Sequence, residues 1–332
     1  MRYRPLGRTG ISVSEIGFGC GSQGGLMVRG EGPDQLKAVA RAIELGINYF
    51  DTAPSYGDGR SETNLGAALR ELKADVHVGT KIELTDADFS DLSGAVVRSV
   101  EGSLQRLGRD YVDLIQLHPR IGEQRRPGSR VLSVDDVLDD VVGAFEGLKS
   151  EGKVHHYGIT GLGETSAVLR VIDAGTIETA QTVFNLLNPS AGRPVPSAFY
   201  AQDFGQLISH AANHGVGVIV IRVLAAGALS GGEAHPLAGR GGPPMGTSSE
   251  FSEDVAKAER FRFLVDEGLV GDPVEGALRF ALASDDVSTV LVGFSDLDQI
   301  DPAVACAEKG PLPPQAVDRL PSVWDTFVSG EE

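Results

Sequence analysis

The stretch INYFDTAPSYG, residues 47–57, places an acid and a phenol where a buried strand runs out. Ile47 to Phe50 is largely apolar and stops at Asp51; Pro54 and Gly57 then signal a turn that carries Tyr56. A carboxylate that closes an apolar run needs a partner. Two further runs end in the same manner. VHVGTK, residues 76–81, closes on Lys81, and YVDLIQLH, residues 111–118, closes on His118. If these strands are parallel neighbours, Asp51, Tyr56, Lys81 and His118 emerge at one rim of one sheet. Each residue alone has a structural explanation, as a turn acid or a strand-end cation. Their recurrence at successive strand ends points to a proton-relay site. A tyrosine is a poor acid near neutrality, since a free phenol titrates near ~10. A lysine cation held beside it by a carboxylate stabilises the phenolate, and an imidazole can orient a bound carbonyl.

Working outward, short apolar runs alternate with helical periodicity along most of the chain. Candidate strands are Ile16–Cys20, Ile47–Asp51, Val76–Lys81, Val112–Leu117, Val154–Ile159, Thr179–Phe184, Gly217–Arg222 and Ser288–Gly293. Between them lie amphipathic segments such as DQLKAVARAIELG and SGAVVRSVEGSLQRLG, with Gly46 and Gly108 where helix C-caps favour glycine. Eight strand-then-helix units predict an α/β fold closed as a (β/α)8 TIM barrel; a doubly wound open sheet fits an unbroken pattern less well. No domain boundary stands out, so residues 1–332 are read as a single barrel domain. Two long rim loops break the rhythm: the arginine-rich 120–130 and the Gly/Pro/Ser-rich 225–249. Residues 313–327 read as a terminal helix outside the barrel, with Trp324 as packing.

A net charge of −17 argues against wholesale nucleic-acid or anionic-membrane binding. The two cysteines, Cys20 and Cys306, make no disulfide framework. No apolar run suffices for a membrane span, and MRYRPLGRTG lacks the apolar core of a secretory signal. A cytoplasmic setting is the default expectation.

Other motifs carry less. GCGSQG has Gly19, Gly21 and Gly24 at dinucleotide-fingerprint spacing, but GGLMVRGEGP after it reads as more glycine-rich loop rather than a helix. It is expected to be a rim loop. His155 and His156 open the fifth strand, at the opposite rim, without a ligand cluster, and no metal site is expected. No G-x-S-x-G elbow supports hydrolase chemistry. Arg222 ends the apolar run GVGVIVI, where it either snorkels or meets an anion from cofactor or substrate. Arg120, Arg125, Arg126 and Arg130 either attract an anionic substrate or form a solvated loop.

LGRTGISVSEIGFG, GINYFDTAPSYGDGRSE, GTKIEL, LQRLGRDYVDLIQLH, GKVHHYGIT and VLVGFSDLDQI together closely resemble the aldo-keto reductase superfamily, over nearly the whole chain. The first segment resembles the family's N-terminal β-hairpin, which caps the barrel bottom. The resemblance implies hydride transfer from NAD(P)H to an aldehyde or ketone, including sugar-type carbonyls, on the barrel's C-terminal rim. Tyr56 would be the general acid/base, tuned by Lys81 and Asp51, with His118 orienting the carbonyl. For the cofactor, it implies Thr160 and Gln181 at the nicotinamide carboxamide, Arg222 near the nicotinamide, and Leu224, Gly227 and Leu229 on a pyrophosphate-side loop. Gly293, Ser295 and Gln299 would lie in the adenosine region. The family's Ser-Asn pair is replaced by Thr160-Gly161, and the common stacking aromatic by Ile221 or Arg222.

Family members that grip a 2′-phosphate carry Lys or Arg in the region matching residues 293–307. This chain has none there, but has Asp296, Asp298 and Asp301. NADPH is the family expectation; the acidic segment favours NADH, unless a residue such as Arg240 supplies the charge. The implied partner is a small-molecule carbonyl or alcohol. Two other classes share this barrel: a non-catalytic cofactor-binding regulatory subunit, as in potassium-channel β-subunits, and a cofactor-assisted lyase or cyclase. The intact tetrad disfavours the first.

Overall fold

A computed structural model describes residues 1–232, 235–239 and 245–328. An antiparallel hairpin, β1 (Tyr3–Pro5) and β2 (Ser12–Ser14), precedes the first barrel strand, β3 (Ile16–Gly19). The other barrel strands are β4 (Tyr49–Asp51), β5 (His77–Ile82), β6 (Val112–Leu117), β9 (Val154–Ile159), β10 (Thr179–Val183), β11 (Gly217–Ile221) and β12 (Val287–Gly293). Between β6 and β9 lies a small parallel pair, β7 (Arg120–Gly122) and β8 (Val131–Ser133). The barrel closes in the order β3-β4-β5-β6-β9-β10-β11-β12, every neighbouring pair parallel. All eight expected strands are present, with ends moved by a residue or two; β4 starts at Tyr49 rather than Ile47.

The helices lie outside the barrel, and their composition explains them. Residues Gly32–Glu44 start with a proline in the first turn and bury Ala38, Val39 and Ala42. Residues Leu92–Leu107 are capped by the Asp91 carboxylate, which accepts from the Gly94 amide, and end on left-handed Gly108. The terminal helix spans Pro314–Trp324, where Trp324 is buried and donates to the Leu186 carbonyl at 2.8 Å.

Two expectations need correction. Leu26–Arg29 forms one helical turn directly after the glycine-rich segment, where only loop was expected. Residues 120–130 are not plain loop either: they hold β7, and Arg125 and Arg126 are tied to Asp136 and Glu164. Both departures are short, below the length at which periodicity is readable.

The interior is layered because side chains two residues apart on a strand share a face. Tyr49, Leu114, Ile219 and Leu291 form an apolar lower layer, closed from below by Leu6 and Val13 of the hairpin. One step up, Asp51 stands above Tyr49 and Gln116 above Leu114. The hairpin fits tightly: Gly7 has φ +53°, and a Cβ there would lie 2.2 Å from the Gly217 amide nitrogen. A side chain at this position would unseat the plug.

Candidate active site

β4 and β5 bring Asp51 and Lys81 together. Lys81 Nζ donates to Asp51 Oδ1, and to the Thr52 carbonyl at 2.8 Å. Gln181 Nε2 on β10 donates to Asp51 Oδ2 at 2.8 Å, and the Tyr49 hydroxyl reaches the same oxygen at 3.5 Å. Both charged side chains are almost wholly buried, Asp51 3% and Lys81 1% exposed, so each needs the other. Burial lifts the Asp51 carboxyl above its ordinary range, against the pull of Lys81. For Lys81 burial opposes the charge, but Asp51 and Tyr56 outweigh it and hold the ammonium.

Lys81 Nζ lies 4.9 Å from the centroid of the half-buried Tyr56 ring. The turn carrying Tyr56 has three successive left-handed residues, Gly57, Asp58 and Gly59. It is pinned by Ser61, whose hydroxyl donates to the Cys20 carbonyl at 2.9 Å and bonds the Thr52 hydroxyl at 2.8 Å. His118 meets Tyr56 edge-on, with ring centroids 6.1 Å apart. Burial, then the Lys81 charge, then Arg130 push the imidazole down to about 3, so it is neutral at ordinary pH. A phenol, a fixed cation and a neutral imidazole thus converge where one carbonyl oxygen could meet both hydrogen-bond donors.

Thr160 is buried beside them, its hydroxyl donating to the His118 carbonyl at 3.2 Å. Thr160 has spent its one hydroxyl proton on the His118 carbonyl and Gln181 Nε2 gives one of its two to Asp51, while the lone pairs of Thr160 Oγ1 and of the Gln181 amide oxygen suit a primary amide NH2. Gly161 explains the departure from Ser-Asn: its φ is +53°, and a Cβ would lie 2.3 Å from the Gln181 carbonyl oxygen.

Arg222 follows β11 in a left-handed conformation, φ 58°. Its Nη1 is buried and has no hydrogen-bond partner among the described residues. Burial works against its charge, which the nearby Tyr56 favours. Ala225 and Ala226 also have positive φ, as does Gly227, so the Leu224–Leu229 loop is strained. Leu224 is half-buried, while Leu229 packs into the core.

Gly293, Ser295 and Gln299 form a separate corner after β12. The Ser295 hydroxyl donates to the Gly24 carbonyl, and the Ser295 amide donates to Gln299 Oε1 at 2.8 Å. Leu26 N bonds the Phe294 carbonyl at 3.1 Å, seating the glycine-rich segment on this corner. The long loop crosses here too: the Gly239 amide donates to the Gln23 carbonyl at 2.8 Å, and His235 Nε2 lies 3.3 Å from Asp296. Arg240 lies outside the described residues. Arg41 reaches this segment from the first long helix, but its guanidinium is engaged by Asp301 and by Glu44 at 2.6 Å.

The sequence did not flag Gln116, fully buried with both amide atoms unpartnered among the described residues. Its register with Lys81 would have placed it in the polar layer, but register comes only with the fold. His155 stacks on Tyr111 at 4.3 Å, and His156 pairs with Glu178 at 2.9 Å. A cluster of metal-ligand type, Asp173, His210 and His214, lies near the strand starts, at the opposite end from the tetrad. An open groove of about 810 Å³ lies outside the barrel, floored by Ala40, Ile43 and Leu72, and includes none of the tetrad. Among the described residues no helix is long and apolar enough to cross a membrane.

Comparison with known proteins agrees with this geometry. A model of the "Aldo/keto reductase family" matches residues 15–325. L-galactose dehydrogenase of Arabidopsis thaliana is 30% identical over 315 residues, covering 92% of this chain and 88% of that protein. A putative voltage-gated potassium channel subunit beta of Schizosaccharomyces pombe is also 30% identical, over 332 residues, covering 92% and 88%. The solved holo form of aldo-keto reductase AKR11C1 from Bacillus halodurans superposes with a TM-score of 0.70 at 26% identity, covering 100% of this chain and 97% of that one.

Proposed function

Because the chain belongs to the aldo/keto reductase family, we propose that it is an NAD(P)H-dependent oxidoreductase interconverting a small aldehyde or ketone, sugar-type carbonyls included, and the alcohol. The observation that carries this is the buried Asp51–Lys81 pair beneath Tyr56, with neutral His118 facing the same ring.

A bound nicotinamide cofactor supplies or accepts the hydride. The rest falls to this chain's side chains. Tyr56 gives its phenolic proton to the carbonyl oxygen in reduction and takes it back in oxidation. Lys81, charged and held by Asp51, offsets the charge that builds on the phenol and on the alkoxide. Neutral His118 donates an N–H to the same oxygen and fixes the carbonyl plane. Thr160 Oγ1 and the Gln181 amide oxygen would accept from the cofactor's carboxamide. Leu224 and Gly227 would border its pyrophosphate, with Leu229 supporting that loop from the core. Gly293, Ser295 and Gln299 would border the adenosine ribose.

The acidic corner supports NADH at least as well as NADPH. Asp296 and Asp298 carry negative charge there, and the guanidinium of Arg41 is already engaged by Asp301 and Glu44. A single good arginine on a 2′-phosphate would contribute ~1.5–3 kcal/mol, or ~10–150-fold in affinity. Without it, NADH is expected to bind comparably or better. Dissociation constants from fluorescence quenching at matched ionic strength test this; an NADPH preference beyond ~100-fold contradicts it. The reaction is tested by a carbonyl panel with each cofactor. Stoichiometric NAD(P)H oxidation and alcohol formation are expected. A cofactor that binds but is never oxidised would favour a regulatory role, and product formation without net oxidation a lyase.

A further inference from the structure

We propose that Arg222 anchors an anionic subsite beside the proton donor, so that the preferred carbonyl substrate carries a carboxylate: a short oxo acid. This rests on the reductase reading above and adds a substrate class to it.

Other sheltered arginines in this structure have their charge answered. Arg4 meets Glu15 and three carbonyls, Arg106 meets Glu62, and Arg279 meets Glu275 and two carbonyls. Arg222 has no carboxylate within reach among the described residues, and its Nη1 is shut off from solvent without a partner. A half-buried guanidinium with one nitrogen shut off and unpartnered is costly, and an anion answers it.

The backbone is built to hold the side chain there. Left-handed φ is unfavourable for a non-glycine residue. It is enforced by Asn185, whose Nδ2 donates to the Arg222 carbonyl at 2.8 Å. Asn185 is itself fully buried, its Oδ1 accepting from the Leu187 and Asn188 amides at 2.9 Å each. Strain fixed by a buried bracket is a mark of a functional position.

The surroundings select the anion's source. Lys81 is neutralised by Asp51, so its charge is not free for a ligand. Arg130, exposed and also left-handed, adds a second cation whose field reaches His118 from the other side of the rim. Arg222 directly follows β11 and Tyr56 lies on the turn after β4, so an oxyanion on Arg222 shares the rim from which the phenol meets a carbonyl oxygen. A carboxylate carried by the substrate satisfies both contacts with one short molecule. The cofactor's diphosphate has the same chemistry and is the competing source.

The test uses pyruvate with methyl pyruvate, and 4-oxopentanoate with its methyl ester, on wild type, Arg222→Leu and Arg222→Lys. Turnover and calorimetric binding to the NADH-loaded protein are both measured. For at least one pair the wild type is expected to favour the acid. Arg222→Leu should lower the acid-to-ester ratio of kcat/KM by ~10–150-fold, the worth of a charge-assisted contact, and Arg222→Lys should restore part of it. An unchanged ratio in both variants, or a wild type that prefers the ester of both pairs, overturns the proposal. A weaker NADH dissociation constant in Arg222→Leu with an unchanged ratio assigns the anion to the cofactor and overturns it likewise. If no carbonyl of the panel, these four included, is turned over but acid binding still depends on Arg222, the reductase reading fails and the subsite stands. If acid binding does not depend on Arg222 either, both fail.

Discussion

Arg222 at the top of the barrel and the arginines at its bottom are used in opposite ways. At the bottom, the hairpin is fastened by arginines engaged by carboxylate or carbonyl oxygens. Arg4 reaches the Leu282, Ser284 and Val287 carbonyls and buried Glu15; Arg2 takes the other Glu15 oxygen at 2.8 Å. Arg8 donates to the Gly175 and His214 carbonyls at 2.7 and 2.9 Å. Most of these acceptors follow the C-termini of barrel helices, where carbonyls are orphaned and cations are favoured. At the top, Arg222 holds a strained backbone and an unanswered charge. The bottom is satisfied and therefore stabilising. At Arg222 the top leaves a donor unpaired, and that is what the proposed anionic substrate would use.

That contrast can be broken at either end. The largest effect is expected at the top. Tyr56→Phe removes the proposed proton donor but keeps the ring, and kcat should fall ~10²–10⁴-fold with little change in melting temperature. Wild-type turnover in a folded Tyr56→Phe protein would take the phenol out of the mechanism. The bottom should respond the other way. Arg4→Met strips buried Glu15 of one partner, and unfolding in urea should show a loss of about 3 kcal/mol, the low end for a broken buried pair because Arg2 remains. Turnover of the folded fraction should stay within about threefold of wild type, a barrier change under 1 kcal/mol. A catalytic collapse equal to that of Tyr56→Phe would show that the ends are not separate.

The smallest effect concerns pH. His118 titrates at about 3 in the fold, against 6.5 as its ordinary value. Between those values the unfolded chain binds a proton that the folded one does not, so stability is full above pH 6.5 and declines as pH falls below it. Partial exposure of His118 makes the slope shallow. The rate profile should correspondingly show no step from this group between pH 5 and 8. NMR titration of the His118 ring checks both, and a midpoint near 6.5 would contradict a neutral carbonyl-orienting imidazole.

The same contrast explains what could be read from the sequence. The tetrad was legible because each member, or the turn bearing it, interrupts an apolar run, and eight such runs imply a barrel that gathers their ends. Arg222 was legible for the same reason, though not its solitude, which depends on what other strands bring near it. The bottom was hardly legible: Arg4 finds its carbonyl acceptors some 280 residues away, with no periodic signal to announce them. Gln116 was hidden because it lies within a strand rather than at its end. The fates of Arg125 and Arg126 turned on Asp136 and Glu164, ordinary helix-region acids until the loop folds back on them.

The central claim is that the top of this barrel moves a hydride between cofactor and carbonyl carbon. Reduction of an aldehyde with cofactor deuterated at nicotinamide C4, in ordinary water, tests it most directly. The account predicts one deuterium on the former carbonyl carbon of the alcohol for each cofactor oxidised by deuteride transfer, a signal that Tyr56→Phe slows but does not relocate. An alcohol free of deuterium, or a product formed while the cofactor stays reduced, would contradict it.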